Sequence, residues 1–369
     1  MIKNIFRLGI IAVLAAACQG SESSSHKLAL YSRYLLSDTT QTDFRILSSC
    51  GKAGRMGKIY VLGEPDEARS LSSFLLTCDQ FNNVDGHARP DGLLDFAGED
   101  FCAILDELHA PYGSLVASGH KDSLTALTIR NFISAVDTTY YLNSYDVDKL
   151  GRKKSAKMVV LASSHVSSYG YFDIDSLCQI AGCNIPLVTP LHAMLDEAWT
   201  KHGKGLNIGI WSSDSTGLTG VYADVMASEK RLRGDALAEY SVISPCHDDT
   251  DAMGAFLCFL RKYRNSLAEK QLSTIIVDDW TVDVTALRDA AASVKGLAQD
   301  SLIKYMPVLR EDFDIIGIRE AVAKTCFKLM RGRNLFTHRI AYPTIETYTT
   351  EAARGNGPYM LVGGKDNSK

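Results

Sequence analysis

The sequence lacks the signatures of several large classes of enzyme. Its 369 residues contain neither G-x-x-x-x-G-K-[ST] nor a G-x-G-x-x-G that follows a strand, the two glycine patterns that cradle nucleotide phosphates. There is no C-x-x-C, so neither a zinc ribbon nor a thioredoxin-type site is indicated. There is also no G-x-S-x-G, the mark of a nucleophile elbow. We therefore expect no cofactor.

An excess of basic charge is also missing. The formal net charge is −4 and the isoelectric point is near 6.1. Binding to nucleic acid depends mainly on a basic surface that neutralises phosphates. We therefore expect no nucleic-acid partner.

No apolar run reaches the ~20 residues that a membrane-spanning helix needs. The longest, residues 8–17, follows Lys3 and Arg7 and has the build of a secretory signal peptide over residues 1–17. Alternatives are cleavage at the alanines alone or a buried N-terminal helix. Residues 18–26 are mostly small and polar, as in a flexible tether.

The segment Leu14-Ala15-Ala16-Ala17-Cys18 resembles the lipobox of bacterial lipoproteins, with Ala15 where the usual leucine stands. The resemblance implies that Cys18 carries lipid, palmitate included, and becomes the new N-terminus. It also implies a chain anchored in the membrane on the extracytoplasmic side of the cell envelope.

The clearest structural pattern lies at residues 156–226. It predicts strands at 157–162, 185–188 and 206–211, alternating with helices at 173–180, 191–202 and 219–226. Two successive βαβ units indicate an α/β fold with largely parallel sheets flanked by helices. A polar stretch at 137–155 divides the chain into a lobe at 27–155 and a lobe at 156–333, with an extended tail at 334–369.

Other segments are assigned more simply. Glycines bound a predicted strand at 57–63, and Pro65 opens a helix whose acids Asp66 and Glu67 suit the helix dipole. A helix is predicted at 101–108 and an aspartate-rich turn at 311–314. Cys102, Cys258 and Cys326 lie in apolar helical patterns and are expected to act as small core residues.

Polar residues follow several predicted strands, where parallel sheets bind ligands. Hydroxyls and helix N-termini at such places suit a polar or anionic group. Helix capping explains the same residue types without any ligand. The candidate ligand-binding residues are Ser163, Ser164, His165, Ser213, Asp214, Ser215, Thr216, His247, Asp248 and Asp279.

Candidate catalytic groups are fewer. His165 could act as a general base, with His247 as its partner and Asp279 as a carboxylate. Neighbouring residues such as Cys246 and His247 rarely converge on one ion, so we expect no metal site. Cys178 and Cys183 flank a turn at Gly182 and are the first pair to test for a disulfide.

Part of the chain resembles the aspartate/glutamate racemase superfamily. The resemblance rests on Ile208-Gly209-Ile210-Trp211, Ser215-Thr216-Gly217 and Val221-Tyr222, and covers about residues 156–225. The family's first catalytic cysteine corresponds to the segment 159–165 and its second to 277–280, and neither segment contains a cysteine. The chain should therefore not carry out the two-thiol racemase reaction. In outline it is also similar to type I periplasmic solute-binding proteins.

Three functions follow from the sequence. The first is a lipid-anchored protein that binds a small polar or anionic ligand between two α/β lobes. The second is a cofactor-independent hydrolase or isomerase of the cell envelope. The third is a structural or assembly lipoprotein that binds another envelope protein.

Overall fold

The computed structural model describes most of the chain in eight stretches. They are residues 27–203, 205–212, 220–233, 239–243, 251–266, 270–296, 306–354 and 360–363.

Six strands form the first sheet. Their spatial order is β12-β11-β2-β1-β5-β6, and every neighbouring pair is parallel except β11 with β12. In chain order these strands are β1 (Lys58–Gly63), β2 (Asp100–Leu105), β5 (Ala156–Leu161), β6 (Leu187–Val188), β11 (Thr344–Glu351) and β12 (Met360–Gly363). A separate short antiparallel pair consists of β3 (Thr139–Tyr140) and β4 (Gly151–Arg152).

Four strands form a second sheet, which is parallel throughout in the order β10-β9-β7-β8. These strands are β7 (Asn207–Ser212), β8 (Glu239–Ile243), β9 (Leu272–Asp278) and β10 (Leu309–Gly317). The predicted α/β class with parallel sheets is confirmed.

Helices accompany both sheets. They are α1 (Leu30–Ser37), α2 (Thr42–Ser49), α3 (Pro65–Thr77), α4 (Tyr112–Ala117), α5 (Lys121–Val136), α6 (Tyr171–Ala181), α7 (Pro190–His202), α8 (Val221–Arg233), α9 (Ala252–Ser266), α10 (Val284–Gly296) and α11 (Ile318–Gly332). Within the described part of the chain, no helix combines the length and apolar character that crossing a bilayer requires.

The central strands are buried along their whole length. All six residues of β1 and of β5, and all seven of β9, are buried. Parallel strands covered on both faces have this continuous burial, because helices pack on each side of the sheet.

The chain passes from one sheet to the other inside its clearest sequence pattern. Strands β5 and β6 pair in the first sheet, and α7 then leads to β7 in the second. The first sheet therefore contains strands from both sides of residue 156, where we expected the boundary between the two lobes. The structure also differs from the prediction at 334–369, where β11 and β12 extend the first sheet.

Three local predictions are wrong. The segment predicted as a helix at 101–108 is strand β2, and the predicted turn at 311–314 lies within strand β10. Cys258 is disulfide-bonded and is not a simple core residue. Cys178 and Cys183 are both free thiols.

A buried ion pair connects β5 to the loop before β2. Lys157 is fully buried, and its Nζ pairs with a Glu99 oxygen while donating to the carbonyls of Arg55 (3.1 Å) and Leu335 (3.2 Å). The other Glu99 oxygen accepts from the Thr337 N–H at 2.7 Å. Burial raises the pKa of Glu99 and lowers that of Lys157, so each charge depends on the other.

Lys157→Met should therefore destabilise the fold strongly, since it leaves Glu99 buried without its cation. We expect a loss of about 3–5 kcal/mol in the free energy of unfolding, measured with urea. Adding Glu99→Gln should restore part of that loss. The control is Lys154→Met, which removes a half-exposed partner of Asp100 and should cost about 1 kcal/mol or less. Equal losses at the two lysines would contradict the account.

Candidate functional site

The two sheets meet near the carboxyl ends of their strands. Asp278 is the last residue of β9, and Ser164 lies three residues beyond the end of β5. The Ser164 hydroxyl donates a hydrogen bond to Oδ1 of Asp278. Since loops beyond such strand ends are the usual place for ligands in α/β proteins, this contact marks a candidate site.

The Asp278 carboxyl also accepts from the second sheet's own helix. Tyr222 in α8 donates its hydroxyl to Oδ2 at 2.6 Å, and the same hydroxyl lies 2.8 Å from Oγ of Ser212 at the end of β7. Asp278 is only 3% exposed. Burial raises its pKa to about 6, and the hydrogen bonds from Ser164 and Tyr222 oppose that rise. This carboxyl therefore titrates close to neutral pH.

A second set of polar groups lies beside the first. The Ser163 Oγ is 3.4 Å from Nδ1 of His165, and the Ser163 and Trp280 side chains lie close enough to the Glu67 carboxyl to oppose the rise in its pKa. Burial raises the pKa of Glu67 well above its usual range, and the charges of Glu64 and Asp278 add to that rise.

Two buried atoms of this set are unsatisfied. Among the described residues, neither Oε2 of Glu67 nor Nε2 of His165 has a hydrogen-bond partner. His165 is 2% exposed, and burial lowers its pKa to about 4, so the ring is neutral at pH 7. Buried polar atoms in native proteins nearly always have a partner, so each such atom needs an explanation. We call Glu67, Ser163, Ser164, His165, Tyr222 and Asp278 the strand-end junction.

The Asp106 carboxyl, at the end of β2, is by contrast fully satisfied. It is completely buried and accepts from the Tyr112 hydroxyl (2.8 Å), the Thr350 hydroxyl (2.7 Å) and the Asn131 amide (3.0 Å), with His109 Nδ1 at 2.7 Å. Burial raises its pKa, but these hydrogen bonds outweigh burial and hold it below the usual value. Asp106 therefore fixes neighbouring strands and loops in place.

The predicted site residues fall into three groups. Ser163, Ser164 and His165 lie in the strand-end junction. Asp279 instead accepts from the N–H (2.8 Å) and hydroxyl (2.6 Å) of Thr281, a local turn, so the buried carboxyl belongs to its neighbour Asp278. The others lie outside the described residues, namely Ser213, Asp214, Ser215, Thr216, His247, Asp248 and the lipidation candidate Cys18.

Sequence reasoning missed Glu67 and Tyr222. Glu67 was explained by the dipole of α3, and its place four residues after the end of β1 was the signal for a second role. In the stretches that the structure describes, no group of three His, Cys, Asp or Glu residues is placed to hold a metal ion.

Comparison with known proteins gives a distant likeness in fold. No family model and no curated protein matches the chain. Solved structures that resemble it include a glutamate racemase isoform from Bacillus anthracis, at 15% identity and a TM-score of 0.45, covering 81% of this chain and 90% of that one. A glutamate racemase from Francisella tularensis, solved with D-glutamate, has 12% identity, a TM-score of 0.45 and coverages of 81% and 89%.

An arylmalonate decarboxylase is also similar, at 12% identity and a TM-score of 0.34, covering 77% of this chain and 96% of that one. Likeness at this level says nothing about which ligand or reaction a chain has.

The raised pKa of Asp278 makes stability depend on pH in a definite direction. The folded state favours the protonated carboxyl, so the carboxyl costs stability as pH rises from about 4 through 6. Relative to wild type, Asp278→Asn should therefore gain about 1–3 kcal/mol in unfolding free energy between pH 4 and pH 7. Urea unfolding at each pH measures this gain.

Two buried histidines change the free energy of unfolding with pH in the opposite direction, and their effect cancels when the variant is compared with wild type. Burial lowers the pKa of both His165 and His192 to about 4, so they lose stability as pH falls, equally in both proteins. A difference between wild type and Asp278→Asn that stays constant from pH 4 to pH 7 would contradict the assignment.

Proposed function

We propose that the protein binds a small polar ligand at the strand-end junction, between its two α/β sheets. The observation that carries the proposal is a pair of buried atoms that have no hydrogen-bond partner among the described residues, Oε2 of Glu67 and Nε2 of His165, beside a junction whose other polar groups are paired. Leaving such atoms unpaired costs ~1–3 kcal/mol each, so a ligand that pairs with them gains that energy on binding.

The hydrogen-bond directions indicate what the ligand presents. The neutral His165 ring carries a single N–H, and when Nδ1–H donates to the Ser163 hydroxyl, Nε2 is left as an acceptor. Burial raises the pKa of Glu67, so its Oε2 accepts when the carboxyl is ionised and can donate when it is protonated. A ligand with ammonium, amide or hydroxyl donors satisfies both atoms, whereas an anionic group there would meet the charges of Glu64 and Asp278.

A thermal-shift screen of amino acids, amines, sugars and organic acids tests the proposal. We expect at least one compound with donor groups to raise the unfolding midpoint. Glu67→Gln should weaken that compound's affinity about tenfold, because it replaces one of the two carboxyl oxygens with an NH₂ group that cannot accept. Glu107→Gln, which changes a half-exposed glutamate near Arg69, is the matched control and should leave affinity unchanged. Silence across the panel would count against binding.

A second candidate function is isomerisation by proton transfer, and one observation favours it. Asp278, whose pKa burial raises to about 6, accepts from Ser164, and the neutral ring of His165 lies beside the hydroxyl of the adjacent Ser163, so a titrating carboxyl and a neutral imidazole belong to one site.

Deuterium exchange tests this candidate separately from binding. A bound compound should take up solvent deuterium at a carbon when incubated with the protein in D₂O. Asp278→Asn should slow that uptake about a hundredfold or more while still binding the compound, because it removes the titrating group. Mass spectrometry of the compound measures both. A ligand that binds tightly and takes up no deuterium would identify a binding protein.

We also infer export and lipid anchoring at the cell envelope from the N-terminal sequence. The support is the positive start at Lys3 and Arg7, the apolar run before Cys18, and the polar tether after it. Palmitate labelling in a bacterial host should mark the wild type and not Cys18→Ala. Equal labelling of the two would contradict lipidation at Cys18.

A further inference from the structure

Three thiols lie together at the end of helix α6. The helix ends in a left-handed glycine, Gly182 (φ 75°), and the Cys183 N–H donates back to the Cys178 carbonyl at 2.9 Å. This is the Schellman arrangement, which brings the side chains of its first and last residues into contact. Cys178 and Cys183 occupy those two positions.

The third thiol comes from the start of the chain. Cys50 directly follows helix α2, and the next residues pair with the segment after Cys183. The Asn184 N–H donates to the Gly51 carbonyl at 2.9 Å, and Lys52 and Asn184 form a parallel bridge. Backbone pairing therefore holds Cys50 beside Cys183, independently of any side-chain preference.

The side chains interact as this backbone geometry requires. Cys50 and Cys178 each lie close enough to the sulfur of Cys183 to affect its pKa. This proximity lowers the pKa of Cys183 and raises the pKa of its two partners. Cys102 and Cys326 differ from Cys183, because burial raises the pKa of each of their thiols to about 12. Cys183 therefore has thiolate character that the isolated core cysteines lack.

Solvent reaches this cluster from one side. Cys50 is half-buried, while Cys178 and Cys183 are buried. All three are free thiols, and the described residues offer no set of ligands that could hold a metal there. Redox chemistry accounts for the arrangement better than metal binding does.

We propose that Cys50, Cys178 and Cys183 form a redox site in which Cys183 is the shared partner of two alternative disulfides. The oxidant is a small-molecule disulfide. The Cys183 thiolate attacks one of its sulfurs, forming a mixed disulfide and releasing one thiolate. Cys50 or Cys178 then loses its proton and attacks the Cys183 sulfur. A disulfide forms within the chain, the second small thiolate leaves, and two electrons have passed to the oxidant.

The two products differ in what they join. A Cys178–Cys183 bond stays within one helix end, whereas a Cys50–Cys183 bond ties the segment after α2 to the end of α6. The remaining thiol is close enough to attack the bond and exchange one product for the other. Cys183 takes part in both bonds because it contacts both of the other thiols.

Peptide mapping of the full chain tests the proposal. The protein is treated with oxidised glutathione, its free thiols are blocked with N-ethylmaleimide, and linked peptides are identified by mass spectrometry without reduction. We expect wild type to lose two reactive thiols and to yield Cys183 linked to Cys50, to Cys178, or to each in different molecules. The Cys258 disulfide should be present before and after treatment.

Four serine variants assign the roles. Cys50→Ser should form only the Cys178–Cys183 bond, Cys178→Ser only the Cys50–Cys183 bond, and Cys183→Ser neither. Cys78→Ser, at a buried thiol outside the cluster, is the matched control and should behave as wild type. A folded wild type that gains no bond at Cys183, or a Cys50–Cys178 bond in Cys183→Ser, would overturn the proposal.

Discussion

A buried carboxyl group joins the two sheets of this protein. Asp278 ends the central strand of the second sheet, yet one of its oxygens accepts a hydrogen bond from Ser164, which follows a strand of the first. A carboxyl that is 3% exposed is costly unless its oxygens are paired. The two sheets can therefore satisfy Asp278 only when their strand ends approach each other, and the candidate site lies where they do.

Two buried carboxyl groups, those of Asp106 and Glu67, have pKa values shifted in opposite directions because their surroundings differ. Asp106 is surrounded by donors, so its charge is stabilised and its pKa falls. Glu67 has an oxygen without a partner among the described residues, and its pKa rises. The first arrangement holds strands and loops together. The second leaves a carboxyl oxygen to which we assign the proposed ligand.

Most strands and helices that have a recognisable local sequence pattern could be predicted from the sequence. The parallel α/β class and the strands at the centre of the chain followed from periodicity and from turn residues. So did the position of Ser163, Ser164 and His165 beyond a strand end, because residues that follow a buried strand have a defined place in such sheets. The prediction of Asp279 was one residue from the carboxyl that joins the sheets, since sequence does not show which aspartate faces inward.

Other features depend on contacts between distant residues. The run 101–105 is apolar throughout, which fits a buried helix as well as a buried strand, and reading it as a helix hid Asp106 at its end. Strand order decides that β5 and β7 belong to different sheets, and no local pattern encodes it. Glu67 suited a helix start, and this local explanation hid the second role that its position after β1 indicates.

The role of Asp278 is tested most directly by measuring the strength of its hydrogen bond with Ser164. A double-mutant cycle with Ser164→Ala and Asp278→Ala, measured as the free energy of unfolding in urea, isolates the interaction between the two residues. Because the acceptor is a buried carboxyl, we expect an interaction energy of about 1.5–3 kcal/mol. An interaction energy within about 0.5 kcal/mol of zero would show that this bond does not join the sheets.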